Sequence, residues 1–372
     1  MTDIQLRERH FPSFFRVPFD IYGDRYLFVS PLRSELAAML DPGKNPLFAD
    51  GRAEGTFYTA FRHGKPVGRI VAHVHHAANQ RFGERYGSFG FLDCIDDVAV
   101  ARTLLDQAAR FARSRGCDRI RGNMNLTANQ EIGVLVEGDD RRPCLAQIFN
   151  PAYIAGLLEA CGYQRTHPMS SMMNTELATV EPDAMLTDAH RALLRDPAYT
   201  FRHFDLARFD DEVEAIRHVL NDAMADNYLF VPLSREEMRF QLGALKLVMD
   251  PVLTHVAEHD GEVIGVALGV PDVVPLLQQM KSRLAPLGWW RFLRGRRKLA
   301  GVSVIIILVK RAYQARGVIR VLTCAQLRSA RDAGYQSIGG TWIGDDNPAS
   351  LKAARAAGMK PYHRVYMFER AL

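Results

Sequence analysis

Between Glu212 and Ala225 the apolar positions recur at three- and four-residue steps, and the same rhythm returns from Ser234 to Met249. That spacing predicts two amphipathic helices. The period then shortens to two. Thr254–Glu258 and Val263–Val270 flank Asp260-Gly261, a two-residue turn signal, and predict a hairpin. Val302–Val309 is apolar without interruption, but its eight residues fall far short of the ~20 that a membrane-spanning helix requires, so it reads as a buried strand. A helix from Gly317 to Ala333, a strand from Gln336 to Ile343 and a helix from Pro348 to Ala357 follow, the last stopped by Gly358. Tyr362–Phe368 closes as an alternating strand.

The earlier part of the chain runs through a parallel series. Strands are predicted at Thr56–Arg62, Val67–His75 and Ser88–Asp93, then a helix from Asp97 to Arg115, a strand at Asp118–Arg121 and a last helix from Pro151 to Cys161. The likeness is an internal repeat. Arg113–Gly122 lines up with Arg331–Gly340 at an offset of 218, at which Asn129 also falls on Asn347. Ala160-Cys-Gly162 resembles Ala356-Ala-Gly358 at an offset of 196, and His63-Gly-Lys65 resembles His259-Asp-Gly261 at the same shorter spacing. The change of offset places extra residues between Gln130 and Asn150 and between Pro271 and Leu299. The expected fold class is α/β (α+β): two tandem domains, 1–180 and 181–372, each a mixed, mostly antiparallel sheet flanked by helices.

Composition adds little to this except in one window. With 48% hydrophobic and 24% charged residues in 372, the chain suits two globular domains. The net charge of +5 is mild, yet Val273 to Arg331 holds thirteen Lys or Arg and no Asp or Glu. Such a window suits an anionic partner: a phosphate-bearing co-substrate, a membrane surface or nucleic acid. The five cysteines are scattered without a C-x-x-C pair and are expected to be reduced, packed residues of a cytoplasmic protein. Met1–His10 is polar and is not expected to be a secretory signal.

The candidate chemistry centres on Gln314-Ala-Arg-Gly-Val-Ile319, between the apolar strand and the following helix. Backbone N–H groups at a helix start lack partners and face the positive end of the dipole, so such a loop holds phosphate well. Gln314, Ala315, Arg316, Gly317 and Val318 are therefore the candidate anion-binding residues, with Lys310, Arg311 and Arg320 expected to raise the local potential. In this motif and its element order the second half resembles the GNAT superfamily of acyl-CoA-dependent N-acyltransferases, although Ile319 stands where that family has a second small residue. The resemblance implies acyl-CoA as co-substrate, its pyrophosphate on this loop and Asn347 beyond it, with no metal. At the corresponding place the first half has Cys94-Ile-Asp-Asp97, whose carboxylates make good helix caps and poor pyrophosphate ligands.

A narrower resemblance, to the tandem GNAT proteins that include the bacterial ceramide synthase group, is carried by Gly122–Asn129, Gly133–Gly138, Asn150–Tyr153, Asn221, 227–232 and Thr341–Asn347. It covers most of the chain. It implies transfer of a fatty acyl group from acyl-CoA to the amine of a long-chain, sphingoid-type base.

Acyl transfer to an amine needs a base for the ammonium, donors for the oxyanion and an acid for the thiolate. The GNAT family often uses a Tyr in the helix after the Asn, but Lys352–Ala357 contains none. Asp345 and Asp346 are the nearest bases, with helix capping before Pro348 as their alternative reading, and Tyr362 is a candidate acid. Glu131 is a second base, at the end of a cluster with Asn123, Asn125, Thr127 and Asn129, of which Asn125 and Asn129 are candidate substrate contacts. His73 and His75 share one strand face, but no neighbouring residue completes a metal set. In the insertion 271–299, Leu276, Met280, Leu284 and Leu287 recur at helical steps before Trp289, Trp290, Phe292 and several Arg. Trp beside basic residues suits a bilayer interface, so 276–298 is the candidate peripheral contact with the inner face of the membrane. Three rivals stay open: a soluble acetyltransferase of a small polar amine, an inactive binding or regulatory protein of this fold, and a Fem-type transferase using aminoacyl-tRNA. Nucleic acid is not otherwise expected, since no RNA-binding signature is present.

Overall fold

Residues 4–23, 27–227, 229–284 and 288–372 are described by the computed structural model, without the side chains of Ala244, Trp289, Arg291 and Arg297, and among them fourteen strands join in one sheet. The first half runs β1 (Ile4–Glu8), α1 (Phe11–Tyr22), α2 (Arg33–Met39), β2 (Ala53–Arg62), β3 (Lys65–His75) and α3 (His76–Phe82). It continues with β4 (Tyr86–Cys94), α4 (Val98–Arg113), β5 (Arg119–Gly122), β6 (Val134–Glu137), α5 (Tyr153–Ala160) and β7 (Gln164–Asn174). The second half runs α6 (Asp188–Leu193), β8 (Tyr199–His203), α7 (Phe209–Ala223), α8 (Arg235–Gly243), β9 (His255–His259), β10 (Glu262–Pro271), α9 (Val274–Gln279) and α10 (Gly288–Gly295). It ends with β11 (Gly301–Val309), α11 (Val318–Asp332), β12 (Ser337–Gly340), β13 (Ile343–Gly344), α12 (Pro348–Ala356) and β14 (Lys360–Ala371).

Two of the long helices that pack on the sheet, α4 and α11, form for local reasons. In α4 the residues Val100, Leu104, Leu105, Ala108, Phe111 and Ala112 lie on one buried stripe, and the Asp97 carboxylate accepts from the Ala99 and Val100 N–H groups. In α11 the stripe is Val318, Val321, Leu322, Leu327 and Ala330, but the cap is Gly317, without any side-chain hydrogen bond. Each helix packs on the strands preceding it: α4 on β3 and β4, α11 on β10 and β11.

The sheet order is β1-β2-β3-β4-β5-β14-β7-β12-β11-β10-β9-β8, with β6 also on β14 and β13 also on β7. The last strand of each half is therefore seated beside the other half. β14 takes β5 and β6 on one edge and β7 on the other, while β7 takes β14 on one edge and β12 and β13 on the other. Phe368 of β14 is fully buried in the core formed by α4, α5 and the first strands.

Two parallel pairings end early and open a gap in each half. β4 pairs with β5 only over Tyr86–Ser88, and β11 pairs with β12 only over Gly301–Val304. The insertion bridges the halves. Leu276, Leu277, Met280 and Phe292 are buried against Val29 and Leu32 of the first half. Gln278 donates to Leu27 O (2.9 Å), and Ser282 Oγ donates to Ser30 O (2.7 Å). Among the described residues no helix is long and apolar enough to cross a membrane.

Candidate functional site

The gap in the first half is filled by the Asn-rich segment after β5. Asn125 Oδ1 accepts from the Phe91 N–H (2.7 Å), and Asn123 Oδ1 accepts from the Leu92 N–H (3.2 Å). These are the β4 donors that β5 leaves behind. Phe91 takes a left-handed conformation (φ +49°), an uncommon one for an aromatic residue. Asn125 then passes the network on: its Nδ2 donates to Glu131 Oε2 at 2.7 Å. Asn125 and Glu131, both expected as site residues, thus meet directly.

Together they line a small chamber, a cavity of about 30 Å³ at the base of a partly open cleft, with Phe28, Phe91 and Phe149 among its apolar walls. Arg69 and Asp93, 2% and 4% exposed, pair across another wall at 2.7 Å, and the Tyr22 hydroxyl donates to the same carboxylate (2.8 Å). Burial pushes the Glu131 carboxyl up to about 7, reinforced by the charges of Glu35 and Asp93 and opposed by the Asn125 amide and Arg69. A carboxyl poised there takes a proton and releases it at neutral pH.

The second gap leads to the expected anion loop. Ala315 (φ +62°) and Gly317 (φ +87°) are left-handed, so the chain coils tightly before α11. A Cβ on Gly317 would stand 2.7 Å from His190 Cδ2, which adds a steric reason for glycine to the conformational one. Buried Val318 anchors the helix start, while Gln314, Ala315 and Arg316 are exposed. An uncapped helix start with such a turn fits a pyrophosphate. The surrounding charge differs from expectation. Lys310 pairs with Glu262 and Arg311 with Asp222 and Asp226, so both are neutralised, whereas Arg316 and Arg320 have no carboxylate partner among the described residues.

The remaining candidates fall elsewhere. Asp345 is held by Arg364 through two hydrogen bonds of 2.7 and 2.6 Å, and that guanidinium keeps its carboxyl below the usual range. Asn347 caps α12, accepting from the Ser350 N–H at 3.0 Å. Tyr362 lies where the β14–β7 register slips between Pro361 and His363, and burial raises its hydroxyl pKa. Asn129 is exposed at a second small pocket, of about 30 Å³, between the Asn-rich segment and residues 229–237. Trp290 is 58% exposed with Arg294 over its ring at 4.5 Å, and the Trp289 side chain lies outside the described residues. His73 is buried with Nε2 3.1 Å from Met124 O, and His75 accepts from the Ala78 N–H. Burial lowers their pKa values to about 4 and about 3, so both rings are neutral.

Several residues of this arrangement carried no local signal. Gln147 accepts from the Cys144 N–H (2.9 Å) and donates to Gly340 O (2.6 Å), so one wall of the chamber touches the end of β12. Trp342, just beyond, packs in the same cluster as Phe149. His190, Arg69 and Asp93 likewise reach their places only through tertiary contacts.

No family model matches the chain. It is 31% identical to the bacterial ceramide synthase of Caulobacter vibrioides (strain NA1000 / CB15N) over 353 residues, 93% of this chain and 90% of that protein. It is 26% identical to protein YghO of Escherichia coli (strain K12) over 379 residues, 99% of this chain and 94% of that one. A tandem GNAT protein from the clavulanic acid biosynthesis pathway has the same fold: TM-score 0.59 at 12% identity, covering 99% of this chain and 98% of that chain.

Proposed function

The chain belongs to the family of the bacterial ceramide synthase, and on that premise we propose that this tandem GNAT-fold acyltransferase joins a fatty acyl group from acyl-CoA to the amine of a long-chain, sphingoid-type base. The observation that carries the donor half of this reading is the uncapped, left-handed turn Gln314–Val318 at the start of α11. It offers the Gly317 and Val318 N–H groups, which have no partner among the described residues, and the Arg316 and Arg320 charges to the pyrophosphate. The edge of β11 from Ile305 to Val309 has no β12 partner, and an extended arm bearing amides can pair with such an edge as an added strand. Asn347, as the α12 cap, would then serve the donor side by fixing the chain beyond β13.

Of the three candidate acid–base groups, Glu131 suits the base role best, since its carboxyl titrates near neutrality and lines a chamber. Asp345, committed to Arg364, is a poorer base, and Tyr362 is left as the candidate acid. The exposed Trp290 and Leu293 with Arg294 support peripheral contact of the insertion with an anionic bilayer on the cytoplasmic side.

The test incubates the purified chain with palmitoyl-CoA or acetyl-CoA and a panel of sphingoid and polar amines, following thiol release and product masses. Amide from the long-chain pair alone is expected. Acetyl transfer to a polar amine would replace the lipid reading, and the absence of amide from every pair would overturn the catalytic one.

A further inference from the structure

We infer that the chamber between β4 and the Asn-rich segment of the first half is the acceptor site, where Glu131 receives the ammonium end of a primary amine whose remainder is apolar. This rests on the acyltransferase reading above and assigns the two substrates to different halves.

Three observations point the same way. First, the gap in the first half is closed to a donor. The Phe91 and Leu92 N–H groups, which an extended amide arm would need, are already held by Asn125 and Asn123. The neighbouring helix start is capped by the Asp97 carboxylate, which repels phosphate. Second, the chamber's polar groups are spoken for, with one exception. Asn150 and Gln147 are engaged with backbone groups, and Asp93 is neutralised by Arg69 and Tyr22. Glu131 has one oxygen on a neutral amide, and its Oε1 has no hydrogen bond among the described residues. A half-buried carboxylate in that position favours a cation, and an ammonium is the smallest that also brings donors. The walls of the small cavity beside it include Phe28, Phe91 and Phe149, apolar surface against which the chain beyond the ammonium would lie.

Third, the chamber adjoins the donor half. Gln147 joins it to Gly340, the last β12 residue paired with β11, where the open β11 edge begins. An amine seated on Glu131 is thus on the side from which a thioester along that edge is approached. The step balances with these groups alone. Glu131 takes one proton from the ammonium, and the freed lone pair forms the C–N bond at the thioester carbonyl. The C–S bond breaks, the departing thiolate takes the second proton shed by nitrogen, and Glu131 returns its proton to water.

The experiment titrates the full chain, without acyl donor, with octylamine, with octan-1-ol as the uncharged control, and separately with coenzyme A. Wild type is expected to bind octylamine more tightly at pH 8 than at pH 6, as Glu131 ionises among Glu35, Asp93 and Arg69. Glu131→Gln should cost about tenfold in octylamine affinity, abolish that pH dependence, and leave octanol and coenzyme A binding as in wild type. Val29→Phe, at the chamber wall with Glu131 intact, should also weaken octylamine and spare coenzyme A. Equal octylamine affinity in wild type and both variants, or none in a wild type that binds coenzyme A, overturns the inference. Loss of coenzyme A binding by wild type overturns the reading beneath it instead.

Discussion

Glu131 combines two demands that pull against each other. Its carboxyl is raised from 4.5 to about 7, which means that the folded chain binds this proton more readily than the unfolded chain does. The associated stability is complete below about pH 4.5 and is lost as pH rises toward 7. Glu131→Gln removes the loss, so the variant should gain stability over wild type by roughly 2–3 kcal/mol at pH 8 and by little at pH 4.5, read by urea denaturation at both. Gain at pH 8 with loss of turnover is the signature of a base kept at the expense of stability. Gly317 makes a separable prediction on the donor side. Valine there meets both a left-handed backbone and His190, so Gly317→Val should weaken coenzyme A binding about tenfold or more while octylamine binding stays. Asp345→Asn breaks an exposed pair with Arg364 and is expected to cost no more than about 1 kcal/mol and to leave turnover nearly intact. A hundredfold loss of turnover would make Asp345 the base in place of Glu131.

At the scale of elements, the insertion is two things joined. Its first part, α9 with Met280 and Ser282, is built into the first half and holds residues 27–33, whose Phe28 and Val29 face the chamber. Among its described residues, the far end, with Trp290 and Leu293 exposed, is the part free to meet a bilayer. Trp290→Ser with Leu293→Ser should therefore lower partition onto anionic vesicles about tenfold or more without changing octylamine affinity, and unchanged partition would remove the membrane contact. The sequence showed an amphipathic, basic segment here, but not that Leu276 and Met280 spend their apolar face inside the molecule. The same division runs through the rest of the fold. The α4 and α11 stripes, the turn at Asp260-Gly261 and the Gln314–Val318 loop are written within a few residues of themselves, and they were legible. β7 was not: Gln164–Asn174 has no alternation and carries a proline and several polar residues, and it is a central strand only because β14 and β12 flank it. In the site, the Asn-rich cluster and Glu131 were visible as a run of polar residues. Arg69–Asp93, Gln147 and His190 meet their partners across 24 to 193 residues of chain or more, and no local pattern announces them.

At the scale of the whole molecule the exchange of β7 and β14 decides what can fold alone. A chain cut at residue 180 keeps β7 but loses β14, and with it the partner of β5 and β6 and the buried Phe368, Val365 and Met367. Losing one buried Phe typically costs about 3–5 kcal/mol, and here a full strand ladder goes with it, against a net stability of about 5–15 kcal/mol for an ordinary domain. Residues 1–180 expressed alone should therefore be unfolded or associated, and so should 181–372, which lacks β7 between β12 and β14. Mixing the two should restore a 1:1 complex, and fusing residues 360–371 to the first fragment through a flexible linker should restore it without the second. Circular dichroism melts and light scattering read both outcomes. A fragment 1–180 that melts cooperatively as a monomer at the full-length temperature would show β14 to be dispensable. The expected dependence has a functional consequence. If the chamber of the first half and the loop of the second are both anchored through β14 and β7, then neither site can loosen without the other, and the full chain should unfold in one transition that octylamine and coenzyme A each shift as a whole. Two resolved transitions, each moved by only one ligand, would separate the sites that the shared strands are argued to hold together.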